Sequence, residues 1–336
     1  LKICLGRLPV RCLKLRHGHI IVAGRTGSGK TNTVKVIVEE VLRRGAKVMA
    51  LDWAGEYKML EQLVPGENLR FNMVSGTLPE PQQYASFITD VFSTIYGLTE
   101  PQSYLLYKAS KRLKAPYRLA DLVAAVEGIE VRNYREVDIK AALLRRLEPL
   151  SDGVLGRTLN GSRPPTSLFQ ENVSIRLDKL YSIRERVLLS LIILRHLYDY
   201  MTLGGFRDSI VHFTILEEAW NLIPYRRREE PPTIGERIFL ELRKYGECIV
   251  AVTQSLRDIS ERALRNASTI ILHPSPVSEI RLLGLTLSQQ PRKTGEALVI
   301  REDGATALLK IRKSRDKNVG RVDSLHGKGI IAEKAV

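Results

Sequence analysis

The sequence is short of cysteine, aromatics and negative charge, and each shortage narrows what the chain can be. Cys4, Cys12 and Cys248 are its three cysteines in 336 residues. They are too few and too scattered for a disulfide framework or a zinc cluster. A reduced, cytoplasmic setting is the expectation. No signal peptide is visible, and the chain opens on Leu1 rather than Met. Long apolar runs are missing too. The best candidate, "VLLSLIILRHLYDYM" at 187–201, is broken by Arg195 and His196. It is short for a bilayer span and reads as a buried helix. Aromatics make up 6% of residues, which leaves few platforms for stacking the bases of a single strand. Lys plus Arg outnumber Asp plus Glu by 52 to 37, a formal charge of +15. That excess points to a polyanionic partner, nucleic acid before an acidic membrane surface.

What is present is an alternation of strands and helices. "GHIIVAG" at 18–24 is a short apolar strand, followed by a Gly-rich loop. "TNTVKVIVEEVLRRG" then carries apolar residues at three- and four-residue spacing and stops at Gly45. "AKVMALDW" is the next strand. This strand–loop–helix–strand unit predicts an α/β fold with a mainly parallel sheet. Residues from about 80 to 148 change character and read as a helical insertion. The sheet resumes with strands at 172–178, 209–218, 247–254 and 267–273, and a long helix at 183–201. A C-terminal β-hairpin at 296–312 turns at "EDG". The expected organisation is therefore 1–79 and 149–312 for the core, 80–148 for the insertion, and 313–336 for a charged, flexible tail.

The loop "GRTGSGKT" at 24–31 fits the P-loop pattern G-x-x-x-x-G-K-[ST]. Gly24, Gly27 and Gly29 let the backbone curl and turn N–H groups towards phosphate oxygens. The following helix adds its positive N-terminal dipole. Lys30 reaches the outer phosphates, and Thr31 offers a hydroxyl to magnesium. The expected ATP contacts are Gly24, Thr26, Gly27, Ser28, Gly29, Lys30, Thr31 and Asn32.

A P-loop needs an acidic partner at the end of a neighbouring strand, and "FTILEEAW" at 213–220 provides one. Alternation along a strand sends its two acids different ways. Glu217 is expected beside Thr31, in the shell of hydrated magnesium. Glu218 is expected in the nucleotide site, polarising the attacking water. "ECIVAVTQ" ends in Thr253 and Gln254, either a γ-phosphate sensor or a simple strand terminus. Asp52 and Glu56 of "LDWAGEY" either line the site or make a turn. Arg243 and Lys244 of "ELRKYGE" suit a helix C-terminus for dipole reasons; an arginine finger across a subunit interface is the other reading.

Taken in order, "GRTGSGKTN", "LDWAGEY", "LRRLEPLSDGVLGRTLN", "ILEEAWNLIP", "RKYGECIVAVTQSLRDISERALRNASTIILH" and "GEALVIREDG" resemble the HerA/FtsK group of P-loop ATPases. The resemblance is strongest to archaeal HerA-type DNA translocases and runs over most of the chain, from residue 17 to residue 312. It implies a RecA-like core, magnesium-ATP hydrolysis and a hexameric ring that pumps duplex DNA. It assigns Lys30 and Thr31 to phosphates and metal, Glu218 as catalytic carboxylate, Gln254 as sensor and Arg243 as an arginine acting in trans. The sequence departs from the family at three points. Only some seventeen residues of this sequence precede the first strand, where the family carries a β-barrel; Trp220 stands where His is common, and Glu217 stands where Asp is usual. A nuclease partner is associated with the HerA family. Conjugation and type IV secretion ATPases share these motifs, which leaves a DNA-transfer apparatus open, and a viral-type packaging motor is a further alternative.

Three basic clusters are candidates for DNA contact: 108–118, 225–230 and 310–317. The loop "PYRRREEPP" follows the catalytic strand, so Arg226, Arg227 and Arg228 are the residues expected to grip a phosphate backbone. A solvated charged loop is the plainer reading. Besides the motor, two other functions fit the sequence. One is a coupling module of a secretion or DNA-uptake apparatus. The other is a nucleotide-gated binding protein with little turnover, against which Glu218 argues.

Overall fold

Strands buried on both faces need apolar residues at every position, and this chain has several such runs. The structure, a computed structural model, describes residues 2–6, 12–14, 17–75, 80–226 and 232–315. Its main sheet contains the strands β3 (His19–Ala23), β4 (Lys47–Asp52), β5 (Glu61–Leu63), β6 (Val173–Arg176), β7 (His212–Leu216), β8 (Glu247–Thr253), β9 (Ala267–Leu272), β10 (Glu296–Arg301) and β11 (Thr306–Lys310). Their spatial order is β11-β10-β9-β3-β8-β7-β4-β6-β5. The strands from β9 to β5 pair in parallel. The last two are antiparallel and form the expected C-terminal hairpin.

Alternation along the strands divides the core in two. Ile20, Val22, Val48, Ala50, Phe213, Ile215, Val250 and Val252 face the helix α1 (Lys30–Leu42). That helix meets them with Val34, Ile37, Val38 and Val41, the i, i+3, i+4, i+7 stripe of an amphipathic helix. Ile21, Met49, Leu51, Leu216, Ile249 and Ala251 face the other way. They are covered by α7 (Ile183–Leu203) and α8 (Ile234–Glu241), and by the insertion.

The insertion consists of α2 (Pro81–Tyr96), α3 (Glu100–Arg112), α4 (Leu119–Glu127), α5 (Tyr134–Ser151) and α6 (Gly153–Leu159). It therefore continues past residue 148. Its helix starts are set locally: Thr99 and Gln102 form a capping box on α3, and Asn133 caps α5 by accepting from the Glu136 N–H. The stretch at 187–201 lies in α7 with most of its residues buried. Among the described residues no helix is long and apolar enough to cross a membrane.

The structure departs from the sequence expectations in three further places. A small antiparallel pair, β1 (Lys2–Cys4) and β2 (Cys12–Lys14), precedes the core. Cys4 is disulfide-bonded, whereas a fully reduced chain was expected. The tail expected to be flexible from Lys313 instead begins strapped to α1. There, Arg312 pairs with Glu39 and Glu40 at 2.6 and 3.1 Å, and the Ser314 hydroxyl donates to Glu39. The rest of the tail lies outside the described residues.

Candidate active site

β3 ends at Ala23, and residues 24–29 turn over the edge of the sheet into α1. Gly24 has φ 148°, and a Cβ there would sit 2.6 Å from the Cβ of His273, which follows β9. Gly29, the residue before α1, has φ 109°. Both positions require glycine. Gly27 opens onto free space. The Lys30 ammonium folds back to donate to the carbonyls of Gly24 (2.6 Å) and Arg25 (3.0 Å). Burial lowers its pKa, opposed by the carboxylates of Glu218, Glu217 and Glu56. Those three acids therefore share the Lys30 neighbourhood.

The loop rests on a buried support. The Thr33 hydroxyl is 2.8 Å from His273 Nε2, and Gly295 N donates to the Ser28 carbonyl. Burial first, then the Lys30 charge, hold His273 down at a pKa of about 4, so it is neutral at neutral pH. Nothing in the P-loop pattern identifies His273; its role follows from β9 lying beside β3.

The two acids diverge, as alternation requires. Glu217 continues the Phe213–Ile215 face and is 8% exposed. Its oxygens accept from Tyr57 Oη at 2.8 Å and Trp53 N at 3.1 Å. Burial, then the nearby Asp52 charge, push its pKa up to about 8. Both of its oxygens brace the loop after β4, and its charge also acts on Lys30, the neighbour of Thr31 in the chain. Glu218 is the only non-glycine residue with positive φ among the described residues, at φ 46° and ψ 46°. Such a conformation costs about 1–3 kcal/mol and marks a constrained position. Trp220 Nε1 donates to its carboxylate at 2.8 Å, and Asn221 N and Nδ2 donate to its carbonyl. The tryptophan that departs from the family pattern thus positions the Glu218 side chain.

Other expected residues divide. Asp52 is a turn anchor, accepting from the N–H groups of Ala54, Gly55, Glu56 and Tyr57 and from Ser174 Oγ. Glu56 remains near Lys30. Asn32 spends its amide on Arg312 O (2.8 Å) and Ser314 N (2.9 Å), so only its backbone is left for a nucleotide. Thr253 is buried and donates to Ser255 O, whereas Gln254 is exposed at the end of β8, between β3 and β7. Thr26 is exposed on the loop.

Arg243 is exposed just before β8. Its charge acts on His19, the first residue of β3. It therefore lies at the opposite end of the sheet from the P-loop, about 17 Å away for a five-residue strand. Arg226 is half-buried after Tyr225, whose N–H donates to Asp258 O. Arg227 and Arg228 lie outside the described residues.

This donor set fits a nucleoside triphosphate. The loop is open above Gly27, the first turn of α1 leaves its N–H groups without intrahelical partners, and the buried Ser28 hydroxyl has no protein partner. No cluster of three or more His, Cys, Asp or Glu able to hold a metal occurs among the described residues. The Thr31 hydroxyl, with the acids that share the Lys30 neighbourhood, would be the groups available to a magnesium ion bound with the phosphates.

A sequence profile described as "Helicase HerA, central domain" matches residues 7–197, more than half of the chain. The chain belongs to the HerA central-domain family. A probable helicase of Methanocaldococcus jannaschii, MJ1565, is 23% identical over 317 residues, covering 85% of this chain and 60% of that protein. This chain thus spans less than two thirds of that relative's length. VirB4 of Thermoanaerobacter pseudethanolicus matches with a TM-score of 0.71 at 15% identity, over 93% of this chain and 97% of the other. The bacterial conjugative coupling protein TrwB matches with a TM-score of 0.61 at 13% identity, over 88% and 84%. At these identities the likeness is one of fold, the RecA-like P-loop core. In that core the strand carrying Gln254 stands between the P-loop strand and the strand carrying the HerA-type acid pair.

Proposed function

We propose that this chain is the ATP-hydrolysing motor of a ring, six copies in all, that moves along duplex DNA. The observation that carries the reading is the separation of Glu218 and Arg243. Glu218 is constrained beside Lys30, while Arg243 is exposed at the far end of the sheet. An arginine there cannot serve its own P-loop, but it can serve that of an adjacent copy when copies repeat head to tail.

In this reading the P-loop N–H groups and Lys30 bind the phosphates. Glu218, held by Trp220 and by its own backbone, orients water and accepts its proton. Gln254 lies beside the outer phosphate, and Arg243 of the adjacent copy stabilises charge as the bond breaks. Magnesium, which Thr31 would help to hold, would supply positive charge for the phosphates. Glu217 keeps the β4 loop in register with the site. The charge of +15 suits the phosphate backbone, and the likeness to a probable helicase supports DNA as the track.

The test is ATP turnover with and without duplex DNA. The expected result is a DNA-stimulated rate, abolished in Lys30→Ala and reduced about 10²- to 10⁴-fold in Glu218→Gln. Equal turnover with and without DNA would count against the motor. A second reading, an ATPase of a conjugation or type IV secretion apparatus, is favoured by the fold shared with the conjugative coupling protein. It predicts that components of a membrane apparatus, rather than duplex DNA alone, raise the rate.

A further inference from the structure

A cleft of about 830 Å³ lies at the other edge of the sheet, where the segment after β5 meets the insertion. Among the described residues, its wall carries Arg70, Arg118, Arg157 and Arg163 with a single acid, Asp152, and no aromatic residue. β5 is five strands from β3, about 24 Å at ordinary strand spacing. The cleft is therefore separate from the P-loop.

Its walls are fixed in place. Phe71 pairs with Arg163 and Asn72 with Asn160 as isolated β-bridges. Gly161 approaches so closely that a Cβ would lie 2.4 Å from the Arg70 carbonyl carbon. Asn160 ties the start of α4 to the end of α5, accepting from Ala120 N and donating to Ser151 O. The guanidinium groups are held while keeping donors to spare. Arg118 uses Nε and Nη2 on Asp121, Arg70 uses Nε and Nη2 on the Gly66 carbonyl, and Arg163 uses Nη2 on Glu171. Each guanidinium has five N–H donors, so among the described residues the Nη1 groups of all three are unspent. Arg157 is exposed and has no ion-pair partner among the described residues.

We infer that this cleft binds backbone phosphates of duplex DNA, which rests on the motor reading above. Planar guanidinium forks match phosphate oxygens in pairs. Without a lining aromatic, neither a flipped base nor the base of a mononucleotide has a face to stack on. What fits is a phosphodiester strand whose bases point elsewhere, bound without sequence readout.

The experiment measures duplex DNA affinity between 50 and 200 mM salt, on the order of the range where phosphate contacts dominate. It compares wild type, Arg157→Gln/Arg163→Gln, and a control pair on α5, Arg135→Gln/Arg145→Gln. Losing two phosphate contacts should flatten the log–log salt slope by about 1.8. The control pair should leave the slope unchanged, and ATP turnover without DNA should be the same in all three proteins. An unchanged slope in the cleft variant, an equal loss in the control, or weaker ATP binding by the cleft variant overturns the inference while leaving the motor reading intact. Failure of the wild type to bind duplex DNA removes both.

Discussion

Glu217 is buried, hydrogen-bonded, and pushed up to a pKa of about 8 from 4.5. Because the folded value is raised, its contribution to stability is fully present below the unfolded value. It is lost as pH rises from about 4.5 to about 8. Replacing Glu217 with Gln keeps an acceptor for Tyr57 or Trp53 and removes the titration. Urea unfolding should find Glu217→Gln more stable than wild type at pH 8, with the difference shrinking towards pH 4.5, the ordinary carboxyl value. A variant that is less stable at both pH values would contradict this account. The P-loop residues and Glu218 were legible in the sequence because their chemistry demands fixed types at fixed spacing. The bracing role of Glu217 was not, because Tyr57 lies 160 residues away. Trp220 stood out in the sequence as a departure, yet only its geometry reveals the bond to Glu218.

At the scale of elements, the parallel core was legible because each buried strand is an unbroken apolar run. β5 has three residues, too few to display any period. The strap of the C-terminal segment on α1 was hidden for a different reason. Its ion pair joins Arg312 to Glu39 across 273 residues, so a sequence window sees only a charged tail. Burial alone would raise the Glu39 pKa, but hydrogen bonds from Ser314, Arg312 and the Arg315 N–H outweigh it and lower the value. The strap is therefore in place above the ordinary carboxyl range and released as pH falls through the lowered value. Arg312→Ala leaves the buried Glu40 without this partner and should destabilise the fold by about 1–3 kcal/mol. Amide exchange at Ser314 and Arg315 should rise in that variant at neutral pH. Unchanged protection there would show that the strap is held by other contacts.

For the whole molecule, what matters is which ends of the sheet face one another in an assembly. The P-loop, Glu218 and Gln254 gather at the carboxyl ends of β3, β7 and β8, and Arg243 sits at the amino end of β8. The arginine-lined cleft could not be read from the chain, and the proposed ring entered only through the family resemblance. The cleft brings together residues from three separate segments, around 70, at 118, and at 151–163. The central claim, that hydrolysis requires two copies, is tested most directly by mixing two inactive proteins. Arg243→Ala retains its own Glu218, and Glu218→Gln retains its own Arg243. Mixed at equal ratio in the presence of duplex DNA, they should regain ATP turnover at about a quarter of the sites, since head-to-tail contacts then pair the two intact residues. No recovery at any ratio would contradict the account.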